Sequence, residues 1–153
     1  MNEASSGNNR NSNHERALRS PSPALPHRFI FVDSPADFRD PAAIVVRIPG
    51  GVRSKQKLFA IYAKALRFPK YFGWNWDAFE ECFADLSWLP PDRPIAIVHE
   101  ELPFGPGGEN RHIYIDVLRG ITENRAIAER RSIQIIMPLS LSAEFSPSAN
   151  EPR

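Results

Sequence analysis

The sequence predicts a small, three-layer-like α/β domain whose helices pack on a mainly parallel sheet of three or four strands. Three apolar runs rich in β-branched residues, at 44–48, 95–98 and 133–137, have the length and composition of buried strands. The segments between them show helical periodicity. Strands that alternate with helices need crossover connections, and such connections place the strands parallel in one layer with helices packed against it.

The first half of the chain supplies two predicted strands and one helix. Residues 29–32 form a short apolar run that a Pro-containing turn ends, and the run 44–48 ends at a Pro-Gly-Gly turn. Ser54 is placed to cap a helix that continues to about Leu66. Pro69 prevents that helix from continuing, because proline has no amide hydrogen to donate.

The second half supplies two more helices. Asn75 is placed to cap a helix that ends before the two prolines at 90–91. A loop at 103–108 follows the buried strand 95–98. A helix is then predicted from about 111 to 130, before the last strand.

Composition sets the predicted boundaries of the domain. The chain has 153 residues with 15 Pro, and residues 1–27 are rich in Asn, Ser, Arg and Pro. We therefore expect a disordered N-terminal tail at 1–27, a folded domain at 28–139 and a disordered C-terminal tail at 140–153. One Cys excludes an internal disulfide, and neither a secretory signal nor a membrane-spanning run is evident, so the expected location is the cytoplasm.

The helix that begins near residue 76 is predicted to have one apolar and one wholly acidic face. At about 100° per residue, the apolar side holds Trp76, Phe79, Phe83 and Leu86. The opposite side holds Asp77, Glu80, Glu81 and Asp85. No Lys or Arg occurs from residue 71 to 89, so these carboxylates repel one another at i, i+4 spacing. A solvated face is the ordinary explanation, but the adjoining turn favours a surface for a basic partner.

That turn presents Tyr71, Phe72, Trp74 and Trp76 within six residues. Aromatic side chains are enriched at binding hot spots because they bury a large area with few rotatable bonds. Gly73, between them, indicates a backbone position that needs positive φ or close approach. Trp76 belongs to the inward stripe, whereas the sequence leaves the direction of Trp74 open.

Residues 68–88 contain the run Phe-Pro-x-Tyr-Phe-Gly-x-Asn-x-Asp-Ala-Phe-x-Glu-Cys followed by Trp88. This run resembles the barstar family of intracellular ribonuclease inhibitors, and the order of the flanking elements extends the likeness to residues 43–139. The resemblance implies a barstar-like fold in which the turn and helix plug the active site of a small basic ribonuclease. Acidic side chains would replace RNA phosphates there.

The implied contacts on this chain are Tyr71, Gly73, Asp77, Glu80, Glu81 and Trp88, and the exposed turn adds Trp74 as a candidate. The chain departs from the family's type member at three of these positions, one of which is Trp88, because it sits further downstream than its family counterpart and requires a longer connection. Glu81 replaces a central aspartate, and Glu80 replaces a helix tryptophan. The acidic residue of the type member's last long helix has no clear equivalent, since Arg125 falls near that position with Glu123 and Glu129 close by.

The expected function is therefore intracellular inhibition of a basic endoribonuclease, either an extracellular-type enzyme or a toxin. The inhibitor would be no enzyme, would need no cofactor or metal, and would be a monomer when free. Charge is unevenly distributed although the net charge is only +1. Residues 47–70 hold seven basic and no acidic side chains, whereas residues 71–109 hold eight acidic side chains and Arg93.

The basic segment 47–70 supports an alternative function, a regulatory protein that binds nucleic acid. Helical periodicity argues against it, because Lys55, Lys57, Lys64 and Arg67 scatter around their helix instead of lining one groove. A catalytic alternative would use Asp77 with Glu80 or Glu81, or His99 and His112 near acids. An exposed helix face offers no cleft for such chemistry. Cys82 lies at the apolar border of its helix and is interpreted as a buried small hydrophobe.

Overall fold

The structure is a computed structural model and describes residues 29–145. Four strands form a parallel sheet in the order β1-β4-β3-β2. The strands are β1 (Phe29–Val32), β2 (Ile44–Ile48), β3 (Ile95–His99) and β4 (Ile133–Pro138). The predicted fold class, an α/β domain with a mainly parallel sheet, is confirmed, and every strand pair in the described chain is parallel. The predicted tail at 1–27 lies outside the described residues, as do residues 146–153.

The helices are α1 (Lys55–Ala65), α2 (Trp76–Asp85), α3 (Glu109–Glu123) and α4 (Arg125–Arg130). Both predicted N-caps are confirmed. The Ser54 hydroxyl accepts a hydrogen bond from the Lys57 amide at 3.1 Å, and the Asn75 side-chain carbonyl accepts one from the Ala78 amide at 2.8 Å. Each cap satisfies a backbone donor that has no partner inside its helix.

The prediction of one continuous helix from about 111 to 130 is wrong, because the helix breaks at Asn124. This residue has extended backbone angles, and its side chain accepts a hydrogen bond from the Ile127 amide at 3.0 Å. An Asn side chain that bonds a nearby amide competes with helical bonding, so Asn124 ends α3 and caps α4. The break was not predicted because helices lie on both sides of Asn124 with no intervening proline or glycine.

The packed region also extends beyond the predicted boundary at 139. Leu139–Phe145 forms a 3-10 helix, and the buried Phe145 ring lies 4.9 Å from the ring of Phe29. On the same segment Glu144 forms a two-bond ion pair with Arg111, with nitrogen to oxygen distances of 3.1 and 3.2 Å. Residues 140–145 therefore belong to the packed part of the chain, and the prediction of a tail there is wrong.

A chain of hydrogen bonds in the core connects α1, α3 and the sheet. The Tyr62 and Tyr114 hydroxyls lie 2.6 Å apart, and the Tyr114 hydroxyl lies 2.7 Å from His99 Nε2. His99 Nδ1 lies 3.2 Å from the Ile136 carbonyl, which can only accept, so Nδ1 carries the proton of the neutral ring. The Tyr114 hydroxyl therefore donates to Nε2. Burial lowers the pKa of His99 to about 4.

Candidate functional site: an acidic helix beside an aromatic turn

Helix α2 presents the two faces that the sequence predicts. Phe79 and Phe83 are fully buried, and Leu86 is buried just after the last turn. The outer face carries the four exposed carboxylates, Asp77, Glu80, Glu81 and Asp85. In the described chain none of these carboxylates lies within ion-pairing distance of a Lys or Arg. The face is consequently an uncompensated anionic surface, held in place by an aromatic core.

Arginines from a distant part of the chain fix the C-terminal end of α2. Leu86 takes the left-handed conformation at φ 47°, which ends the helix. Arg130 donates to the Ala84 carbonyl at 2.6 Å, and Arg131 donates to the Leu86 carbonyl at 3.3 Å. These cations satisfy carbonyls at the negative end of the helix dipole. The sequence analysis missed both residues, because nothing local in the sequence links them to α2.

The turn before α2 exposes two aromatic side chains and buries a third. Tyr71 is 72% exposed and Trp74 is 43% exposed, whereas Phe72 is buried with its ring 4.9 Å from the Phe68 ring and 5.0 Å from the Trp74 ring. Trp74, whose direction the sequence left open, therefore stands on Phe72 with part of its surface free. Tyr71 shares a concavity with Glu81 and Asp85, so it lies next to the acidic face of α2, and Trp74 precedes the first residue of α2 by two positions.

Gly73 does not have positive φ, and a close approach is the feature that favours glycine there. The positive angle in this turn belongs to Trp74, at φ 57°. A Cβ atom at position 73 would lie 3.3 Å from Asn75 Nδ2 and 3.5 Å from the Ala78 Cβ. A side chain there would therefore press on the cap that starts α2.

Two tryptophans support this surface from behind. The half-buried Trp76 indole donates to the Asn110 side-chain carbonyl at 3.2 Å and packs against the Phe59 ring at 5.0 Å. This agrees with its predicted place on the inward stripe. The half-buried Trp88 donates to the Leu66 carbonyl at 2.8 Å. Its predicted contact with a partner stays a prediction, and its polar group is already used inside the domain.

Glu81 lies between two concave surfaces. On one side, a concavity of about 370 Å³ separates α2 from the end of α3, with Asp77, Glu80 and Glu81 along one wall and Gly120 and Asn124 along the other. On the other side, Tyr71, Phe72 and Cys82 line a smaller concavity of about 160 Å³ that Glu81 also borders. Sequence reasoning missed Gly120 and Asn124, since only tertiary packing places α3 opposite α2. Arg125, Glu123 and Glu129 do not line either concavity.

Cys82 is buried, as predicted, and its thiol is in an environment that makes it unreactive. Desolvation raises the pKa of its thiol, and the neighbouring charges of Asp85 and Glu81 raise it further. A thiol in this environment stays protonated at neutral pH and is a poor nucleophile. Its role is to pack the inner face of α2.

The structure adds little support to the two alternative functions, nucleic-acid binding through the basic segment and catalysis. The exposed Lys57, Lys64 and Arg67 lie on or just after α1, and His99 is enclosed in the core. Between residues 29 and 145, no group of three or more His, Cys, Asp or Glu side chains could hold a metal ion. The helices described for this chain are too short or too polar to cross a membrane.

A family model described as Barstar (barnase inhibitor) matches residues 44–137, which is more than half of the chain and runs from the start of β2 through α2 to all of β4 except its last residue. No curated protein and no solved structure matches the chain. Members of the matched family are inhibitors of barnase-type ribonucleases and not enzymes. Together with the parallel sheet and the acidic helix, the family match shows that the chain belongs to the barstar family.

Proposed function

We propose that this protein inhibits a basic endoribonuclease in the cytoplasm by covering the enzyme's active site with the acidic face of α2 and the turn before it. The observation that carries the proposal is the set of four exposed, unpaired carboxylates beside the exposed aromatic rings of Tyr71 and Trp74. A ribonuclease active site must hold phosphates, so it offers cations in a cleft. The acidic face supplies the opposite charge on a convex helix.

The carboxylates would occupy phosphate subsites. Asp77, Glu81 and Asp85 succeed one another at one-turn spacing along the exposed face, and Glu80 stands beside Glu81. Arg, Lys and His groups of the nuclease would bond these side chains with charge-assisted hydrogen bonds. Because the free protein carries no cation on this face, the partner's charges compensate a repulsion that already exists.

The aromatic turn would supply contact area and stacking. Tyr71 is the most exposed large hydrophobic side chain of the described chain, and Trp74 stands beside it on the Phe72 ring. A tyrosine stacked in a base or imidazole pocket loses little conformational entropy on binding. Gly73 keeps the backbone of the turn close to the start of α2. Inhibition would follow from occupancy alone, without any bond made or broken.

The proposed partner is a basic ribonuclease of the extracellular type or a ribonuclease toxin, bound by one monomer of this protein. Neither a nucleic acid nor a membrane takes part. Opposite charges would steer the two proteins together at a rate that falls as salt screens them.

The test is an inhibition titration. Purified protein is added to a barnase-type basic ribonuclease while cleavage of a fluorescent RNA is followed, at low salt and at physiological salt. We expect stoichiometric loss of cleavage and weaker association at higher salt. An acidic ribonuclease of unrelated fold is the control. If no basic ribonuclease from the protein's own host, nor any barnase-type toxin, is inhibited or bound, the proposed function is wrong.

A further inference from the structure

A third concavity lies at the C-terminal end of α2, away from the aromatic turn. It has a volume of about 520 Å³, is partly open to solvent, and is bordered by the end of α2, the chain that follows it, α4 and the start of β4. Most of its wall is apolar and is formed by Phe83, Leu86, Leu89, Pro91, Ile127 and Ile133. Its volume and lining are typical of sites for small molecules, which combine an apolar wall with a few placed polar groups.

The polar groups of this cavity are two adjacent guanidinium groups. Arg131 donates to the Pro90 and Arg93 carbonyls, each at 2.8 Å, and to the Leu86 carbonyl. Arg130 donates to the Ala84 carbonyl. All of these acceptors are uncharged, and neither guanidinium has a carboxylate within ion-pairing distance in the described chain. The side chains are therefore fixed in position while their charges stay unpaired.

The balance of charge in the lining favours an anion. Burial lowers the pKa of Arg131, the charge of Arg130 lowers it further, and Asp92 opposes these effects. Asp85 is the one carboxylate of the lining, and its oxygen already accepts a hydrogen bond from the Ser87 amide at 3.3 Å. Two cations and one anion leave the lining with a net charge of +1. A ligand with one negative charge would neutralise it.

We propose that this cavity binds a small amphipathic monoanion, with its carboxylate at Arg130 and Arg131 and its apolar body against Phe83, Leu89 and Ile127. The cavity is formed by the fold without the proposed ribonuclease partner, but it shares Asp85 with the acidic face of α2 and shares Ala84 and Ile127 with the concavity beside Glu81. An anion of this class would add charge-assisted hydrogen bonds to guanidinium groups that now bond only carbonyls.

The test compares three probes that share one apolar body. Phenylbutyrate, phenylbutanol and phenylbutylamine are titrated separately into the full chain while backbone amide chemical shifts are recorded. We expect saturable shifts at Ala84, Ser87 and Ile127 with phenylbutyrate, at least about tenfold weaker binding of the alcohol, and no saturable binding of the amine. The proposal is overturned if the amine binds as tightly as the carboxylate, if phenylbutyrate does not saturate, or if its shifts lie elsewhere.

Substitutions then test which guanidinium groups bind the carboxylate of the probe. Arg130→Gln removes an exposed guanidinium, and we expect it to weaken phenylbutyrate binding while leaving phenylbutanol binding unchanged. Arg125→Gln, at the other end of α4 and outside the lining, is the matched control and should bind phenylbutyrate like the wild type. Arg131→Gln tests the second guanidinium, with its folding checked by the amide spectrum. Equal phenylbutyrate affinity in wild type and Arg130→Gln would contradict the assignment of the carboxylate to these arginines.

Discussion

Helices α1 and α2 are alike on their inner faces and opposite on their outer faces. Each begins at a side-chain cap and buries an aromatic stripe, and the stripes meet in the core, where the Phe59 ring stacks on the Phe79 ring at 5.3 Å. The outer face of α2 carries four carboxylates, whereas α1 carries dispersed lysines. The inner faces fix the positions of the two helices in the domain, whereas the outer face of α2 is the surface that we propose binds a partner.

The largest effect should follow from breaking an inner face. Phe83→Ala removes a fully buried ring, and we expect it to lower the free energy of unfolding by about 3 to 5 kcal/mol. Asp85→Ala, two residues later on the outer face, should change it by no more than about 0.5 kcal/mol. Denaturant unfolding of both variants measures the difference. Equal losses would contradict the phase of α2.

The buried hydrogen-bond chain behind these faces should make stability depend on pH. The folded state holds the pKa of His99 near 4, below its ordinary value of 6.5, so the unfolded state binds more protons between these values. The free energy of unfolding should therefore fall as pH falls from about 6.5 to about 4, by about 3 kcal/mol from this residue, and level off below. Unfolding measured across this range gives the slope.

Comparison with His99→Gln isolates this contribution, because the two proteins share every other titratable group. The variant should be less stable at pH 7 and should show a flatter pH dependence. His112→Gln, which changes an exposed histidine on α3, is the control and should keep the wild-type slope. A variant at position 99 that keeps the full slope would mean that another group is responsible.

A substitution at Glu81 tests the outer face of α2. Glu81 borders both concavities and has Asp77 one turn before it and Asp85 one turn after it. Glu81→Gln keeps the shape and removes the charge, so we expect the dissociation rate of a cognate ribonuclease complex to rise at least about a hundredfold. Surface plasmon resonance measures this rate. Stability should be unchanged or slightly higher, because repulsion along the helix is relieved.

Asp37→Asn is the matched control, since it removes an exposed carboxylate from the 3-10 helix Pro35–Asp37, far from α2 in the sequence. It should leave the dissociation rate unchanged. If Glu81→Gln bound the ribonuclease as tightly as the wild type, the interface would have to lie away from this position, even if inhibition itself were confirmed.

The smallest effect is expected for the basic residues on α1 and in the turn that follows it. The protein should have no measurable affinity for single-stranded RNA at physiological salt, where nonspecific binders reach about 10⁻⁴ to 10⁻⁶ M. Changing Lys64, Arg67 and Lys70 to Gln should therefore alter nothing in a fluorescence anisotropy titration. Micromolar binding by the wild type that this triple variant loses would instead favour the nucleic-acid alternative.

The sequence by itself determined the features that depend on near neighbours. Ser54 and Asn75 were recognisable as caps because each bonds an amide three residues away. The two faces of α2 followed from the period of the helix, and the strands followed from short runs of β-branched residues between turn signals. The resemblance over residues 68–88 indicated the family for the same reason, because the aromatic turn and acidic helix are continuous in the chain.

Tertiary structure alone decided the features that join distant segments. Arg130 meets the end of α2 from 46 residues away, and Gly120 faces Glu80 and Glu81 only because α3 packs beside α2. Phe145 lies in a segment of polar appearance, but it packs against β1, which stands at the other end of the described chain. Periodicity reports which face of an element is apolar and not which other element covers it, since many pairings bury similar area. Packing of the complete chain selects one of them.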